Sequence, residues 1–134
     1  MAHVNSTGGK DWNMELTTYR SFEGIQIIRL SGSLVGKEAA QVRYQFRQLI
    51  CDRSPCLIID LSHLHYIDAR GLSVFVSAYK ILRGYHKQGE VLLLNPTPVV
   101  LALIELTRLQ QSFSIYTEES AAISHCVALL NQTA

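Results

Sequence analysis

Charge is what this chain has least of. Asp, Glu, Lys and Arg supply 17% of the residues, against roughly 25% in an average domain. Twelve basic residues against 11 acidic ones leave a formal charge of +1. No long-range positive field exists to gather nucleic acid or anionic lipid, so neither is expected as a partner, and a near-neutral surface favours protein partners. With 48% hydrophobic residues the chain is too apolar to stay disordered. Long hydrophobic runs are missing too. The longest stretch free of charge, Ser120 to Ala134, falls short of the roughly 20 apolar residues that span a bilayer. No membrane insertion is expected, and the polar start lacks the apolar stretch of an export signal, which implies a cytoplasmic address. Cysteine is sparse and odd in number: Cys51, Cys56 and Cys126 match neither a zinc knuckle nor a redox C-x-x-C, and are expected to be reduced, mostly buried thiols.

Missing motifs narrow the chemistry further. No G-x-x-x-x-G-K-[ST] loop and no G-x-G-x-x-G fingerprint occurs, so no cofactor is expected. Gly71-Leu72-Ser73-Val74-Phe75 lacks the second glycine of a nucleophile elbow, and no other serine arrangement supports a hydrolase. A non-enzymatic role is the expectation.

What is present is periodicity. The 134 residues fit one domain with a core of its own. Residues 1–13 are polar and glycine-bearing, expected as a flexible N-terminal segment ahead of a domain over residues 14–130. Met14–Arg20 and Ile25–Leu30 read as two strands joined through Glu23-Gly24, an antiparallel hairpin that Gly32 ends. Ala39, Val42, Phe46, Leu49 and Ile50 lie at helical spacing between Lys37 and about Asp52. Cys56–Ile59 is a continuous apolar run, the pattern of a strand covered on both faces, ending at Asp60. Leu72, Phe75, Val76, Tyr79 and Leu82 mark a helix from about Ala69 to His86, with Lys80, Arg83 and Lys87 as a solvated basic face that matches the dipole of its last turns. Val91–Leu94 is another buried strand. Pro98 stands at the first position of a short helix carrying Val99, Val100, Leu103 and Leu106. Ser114–Tyr116 is a last strand, and Thr117 with Glu118 and Glu119 opens a final helix through Val127 and Leu130. The order ββαβαβαβα predicts an α/β fold with a mixed sheet.

Ligands and partners of open α/β sheets meet the strand carboxyl ends, where helix starts expose unpaired amides. That points to Asp60–Leu72. Asp68 reads as the N-cap of the following helix, accepting from the amides of Arg70 or Gly71. Gly71 either makes room for close backbone packing or touches a partner directly. Arg70 is a cation in a first turn, where it opposes the helix dipole; it either pairs with Asp68 or Asp60 or serves a partner. His63 and His65 could aim at one metal, but no third ligand stands at a strong spacing, so no metal is expected.

The same segment carries a family pattern. Asp60, Leu61, Ser62, Tyr66, Ile67, Asp68, Gly71 and Leu72 resemble the STAS family, the domain of anti-sigma factor antagonists and of sulphate-transporter tails. Gly32-Ser33-Leu34 sits where that family has a Gly-x-Leu step, and the element order agrees over about Met14 to Leu130. The resemblance implies a STAS-like single domain, a mixed sheet with an N-terminal hairpin and about four helices. It implies partner binding through Asp68, Ala69, Arg70, Gly71, Leu72 and Ser33. The implied partner is an anti-sigma factor of the serine-kinase type, and its binding would free a sigma factor. Two positions depart from the pattern. Ala69 stands where switchable members carry the phosphorylated serine, so no switching by phosphorylation is expected there, and Val35 stands where the family often has Asp. A second implied role is that of an accessory subunit regulating a membrane ABC transporter of lipids, in contact with its ATPase.

Overall fold

A computed structural model of the chain describes residues 2–6 and 13–133. A six-stranded sheet has the spatial order of its strands in sequence: β1 (Ala2–Ser6), β2 (Glu15–Arg20), β3 (Gln26–Leu34), β4 (Cys56–Ile67), β5 (Glu90–Leu94) and β6 (Ser114–Tyr116). The first three strands pair antiparallel, and β3 to β6 pair parallel. The parallel strands are joined by α1 (Gly36–Leu49), α2 (Ala69–Tyr85) and α3 (Pro98–Leu106), with α4 (Glu119–Thr133) last. The single α/β domain and the order from the hairpin onward agree with the sequence reading. β1 is an addition, an edge strand within the segment expected to be flexible.

Alternation along the strands sorts the side chains onto two faces. Ile28, Leu30, Leu57, Ile59, Val91 and Leu93 pack with Val42 and Phe46 of α1, Phe75 of α2 and Val100 of α3. Ile25, Ile27, Ile58, Leu92 and Leu94 face the other way, where Ala122, Cys126 and Leu129 of α4 cover them. On α2 the buried face is turned slightly from the expected stripe: Val74 and Ala78 are inside, while Val76 and Tyr79 are half-buried. On α3 the correction is larger. Val100 and Ile104 reach the core, whereas Val99 and Leu106 are exposed.

Two strands outrun their expected ends. β4 continues past Asp60 to Ile67, and Gly32 lies inside β3. The reason is bulging: the β3–β4 register slips between Arg29 and Ser31 and again between Gly32 and Ser33. Each slip places an extra β4 residue against β3 and shifts the phase of alternation. Leu61, Leu64 and Ile67, three residues apart, therefore all reach the core, a spacing that does not look like a strand in sequence. Gly32 takes φ +94° at the second slip, backbone that a side chain disfavours.

The cysteine expectation is also corrected. Cys56 of β4 and Cys126 of α4 form a disulfide, with Cα atoms 5.4 Å apart, and only Cys51 is free. β4 and α4 are brought together by apolar packing, so the pairing follows from tertiary contact over a sequence separation of 70 and not from spacing.

Candidate partner-binding site

The long β4 delivers its C-terminal end to the start of α2, and one carboxylate organises the junction. Asp68 Oδ1 accepts from the Gly71 amide at 2.9 Å, capping α2. Oδ2 accepts from the Gly36 amide at 3.1 Å, at the first residue of α1. The N-cap position of α1 is Val35, extended but without a cap hydrogen bond from its side chain. Asp68 thus satisfies the amide of the first helical residue, one of the orphan donors at the start of α1. The Gly71 hydrogen bond holds the Asp68 carboxyl below its ordinary range, against a smaller opposing effect of burial, with help from the Gly36 amide and Arg70.

Gly71 is buried, and a Cβ there would lie 2.2 Å from the Leu34 carbonyl oxygen and 2.6 Å from Ile67 Cγ1. Close packing of α2 on the end of β3 is what demands glycine. Leu72 is buried as well, at 6% exposure. Ser33, half-buried, faces Tyr66 across the β3–β4 ladder. Ala69 and Arg70 are exposed. Of the six residues singled out in sequence, Asp68, Gly71 and Leu72 therefore build the corner, while Ala69 and Arg70 present it to solvent.

Among the described residues Arg70 forms no ion pair. The described ion pairs are Arg29–Asp60 and His125–Glu90, and Asp68 is committed to amides. Asp60, the one buried charged side chain among the described residues, receives Arg29 Nε at 2.9 Å, the Ser62 amide at 3.0 Å and the Ser62 hydroxyl at 2.7 Å. Burial pushes the Asp60 carboxyl up, but the Ser62 hydrogen bonds and the Arg29 guanidinium outweigh it and leave the group below its usual value. The Arg29 guanidinium also lies over the Tyr19 ring, and the Tyr19 hydroxyl donates to Glu119 of α4 at 2.9 Å. Burial and this acidic partner push the Tyr19 phenol up to about 12. Sequence reasoning missed Arg29, because its partner is set by cross-strand register.

Other candidates resolve locally. His63 Nδ1 lies 3.0 Å from the Ser62 hydroxyl, and among the described residues no group of three or more His, Cys, Asp or Glu is placed to hold a metal. Arg83 is not merely solvated: it donates to the carbonyls of Gly89 and Lys87 and stacks on Tyr79, tying down the turn into β5. No helix among the described residues is long and apolar enough to cross a membrane.

With this geometry in place, the family model of the STAS domain matches residues 17–122. The chain belongs to the STAS domain family. An anti-sigma F factor antagonist of Paenibacillus polymyxa is 31% identical over 103 residues, spanning 75% of this chain and 86% of that protein. An anti-sigma-B factor antagonist of Listeria monocytogenes is 37% identical over 83 residues, 62% of this chain and 66% of that one. In three dimensions, an anti-sigma factor antagonist from Mycobacterium paratuberculosis superposes with a TM-score of 0.71 at 22% identity, covering 83% of this chain and 93% of its own. The STAS fold is shared, and the chain is an anti-sigma factor antagonist-like STAS domain.

Proposed function

We propose that this STAS domain is a non-enzymatic binding module that docks on an anti-sigma factor of the serine-kinase type through the start of α2 and thereby frees a sigma factor. The observation that carries the reading is the pairing of a rigid corner with an exposed tip. Asp68 fastens the starts of α1 and α2, so Ala69 and Arg70 stand in solvent on backbone already ordered for contact. Likeness to proteins named anti-sigma factor antagonists supports the same reading. The contact residues are Ala69 and Arg70, with Asp68, Gly71 and Leu72 holding them in place and Ser33 next to Leu34, on which Gly71 packs.

Ala69 occupies the position of the family's acceptor serine and has no hydroxyl. The complex should therefore persist when ATP is added, since nothing at this position converts the module to a non-binding form. The variant Ala69→Ser restores an acceptor, and phosphorylation would bring about −1.5 to −2 charge beside Asp68. The test mixes the purified chain with the serine-kinase anti-sigma factors of its own bacterium, with and without ATP. ATP-independent binding by the natural chain and ATP-dependent release of Ala69→Ser are expected. Absence of binding to every such factor refutes the reading, and stoichiometric phosphate on Ser62 or Ser73 with loss of binding refutes constitutive competence.

A further inference from the structure

The outer side of α3 is unlike the surface around it. Val99, Ala102 and Leu106 are spaced three and four apart, which puts them on one face, while Val100 and Ile104 face the core. Glu105 is the single charged residue of this helix. A helix that is apolar all round is normally covered all round, yet Val99 is 54% and Leu106 79% exposed. Together with Tyr66, itself 54% exposed, they border a cleft of about 370 Å³ that Asp68 and Ala69 also line. Single apolar side chains on a surface mean little, whereas several converging on one cleft mark a contact site. The walls are fixed. The Thr97 hydroxyl at the head of α3 donates to the Leu64 carbonyl of β4 at 2.9 Å, and Asp68 anchors the start of α2.

Charge supplies the second half of the argument. Arg70 follows the lining residue Ala69 in sequence, is exposed, and belongs to neither described ion pair. The first turn of α2 contains no acidic residue. The N-cap Asp68 offsets the Arg70 charge only in part, because its carboxylate accepts from the Gly36 and Gly71 amides; a cation at a helix start is unfavourable in the free chain, and its planar fork is left to match a carboxylate from outside.

We propose that the α3 cleft is the selectivity pocket of the partner surface: it takes a large aliphatic or aromatic side chain of the anti-sigma factor, and an Asp or Glu close to that side chain pairs with Arg70. This rests on the anti-sigma factor reading. It also gives Ala69 a positive role. Its methyl lines the pocket, and a hydroxyl or phosphate in the same place would bring polar groups that are costly to bury against an apolar side chain.

The test places a photo-cross-linking p-benzoylphenylalanine at Val99, at Leu106, at Lys37 beside the start of α1, and at Phe22 in the distant β2–β3 turn, in the bacterium that encodes the chain. All four positions are exposed, so folding is spared. Adducts from Val99 and Leu106 to an anti-sigma factor peptide with a large apolar residue next to Asp or Glu support the proposal. An anti-sigma factor captured from Lys37 but not from Val99 or Leu106 overturns the pocket and leaves the function standing. Capture of no anti-sigma factor from any position overturns both. Adducts from Val99 or Leu106 to a second copy of this chain or to a transporter ATPase overturn the pocket's assignment. With the captured factor purified, Leu106→Glu and Arg70→Ala should each weaken binding at least tenfold, whereas Phe22→Ser should leave it unchanged. Wild-type affinity of Leu106→Glu overturns the proposal.

Discussion

Asp68 and Arg70 stand two residues apart at the same helix start and do opposite things for the free chain. The Asp68 carboxylate accepts from two amides on two helices, so its removal leaves two donors to find water or nothing. Asp68→Ala should lower unfolding free energy by about 1 to 2 kcal/mol, as N-cap truncations do. Arg70 makes no ion pair among the described residues and works against the helix dipole, so Arg70→Ala should leave the unfolding midpoint in urea unchanged or slightly raised. Urea melts of both variants check this. A clear loss of stability in Arg70→Ala would mean that the side chain has an internal partner after all.

Among the elements, α1 starts on an apolar cap position. Its N-cap residue, Val35, has extended backbone suited to a cap (φ −138°, ψ 155°) but contributes no side-chain hydrogen bond. Asp68 serves Gly36 from across the junction and the Glu38 amide donates to the Val35 carbonyl, leaving the Lys37 amide for a cap to reach. Val35→Ser should therefore stabilise the protein by about 0.5 to 1 kcal/mol, within the range of N-cap exchanges. An aspartate would stand close to Asp68 and forfeit part of the gain by repulsion, so the serine variant should exceed Val35→Asp in denaturant midpoint. Equal or reversed midpoints would remove Asp68 as the neighbour that limits an acidic cap. The connection between β4 and α4 is of another kind. Cys56 and Cys126 join them covalently, in addition to the apolar cover that Ala122 and Leu129 provide.

For the whole molecule, the two lowered carboxyls and the raised phenol make stability depend on pH at both ends. Asp60 and Asp68 bind their protons less readily in the fold than in the unfolded chain. Their contribution is fully present above the ordinary carboxylate range, about pH 4, and is lost as pH falls through the lower folded values, because the unfolded state then holds more protons. Tyr19 works at the other end. Its folded value of about 12 lies above the ordinary value of 10.0, so between these values the unfolded state has lost the proton that the fold retains, and stability declines as pH rises. Unfolding free energy against pH should show both limbs. Asp60→Asn should flatten the acid limb and Tyr19→Phe the alkaline one, and a variant that merely lowers the whole curve without changing its slope would contradict the assignment.

Local patterning was enough for the helices, for the parallel strands at Leu57–Ile59 and Val91–Leu93, and for Asp68 as the cap of α2, since each depends on residues within one or two turns of each other. The family motif around Asp60–Leu72 identified the exposed corner in the same way. What the tertiary structure alone decided involves partners far apart in sequence. Asp60 pairs with Arg29 rather than Arg70 because strand register puts Arg29 directly opposite it. Gly71 is required by the Leu34 carbonyl of another strand. β4 extends to Ile67 because bulges shift its alternation, and these arise against β3. Val99 and Leu106 look like core residues in a short apolar helix, yet which side of α3 meets the sheet is settled by the docking of the helix, and the side left over became the wall of the cleft. Periodicity and capping are short-range and written in the chain, whereas the partner of a charge, the need for a glycine and the fate of an apolar face depend on which elements come to lie against one another.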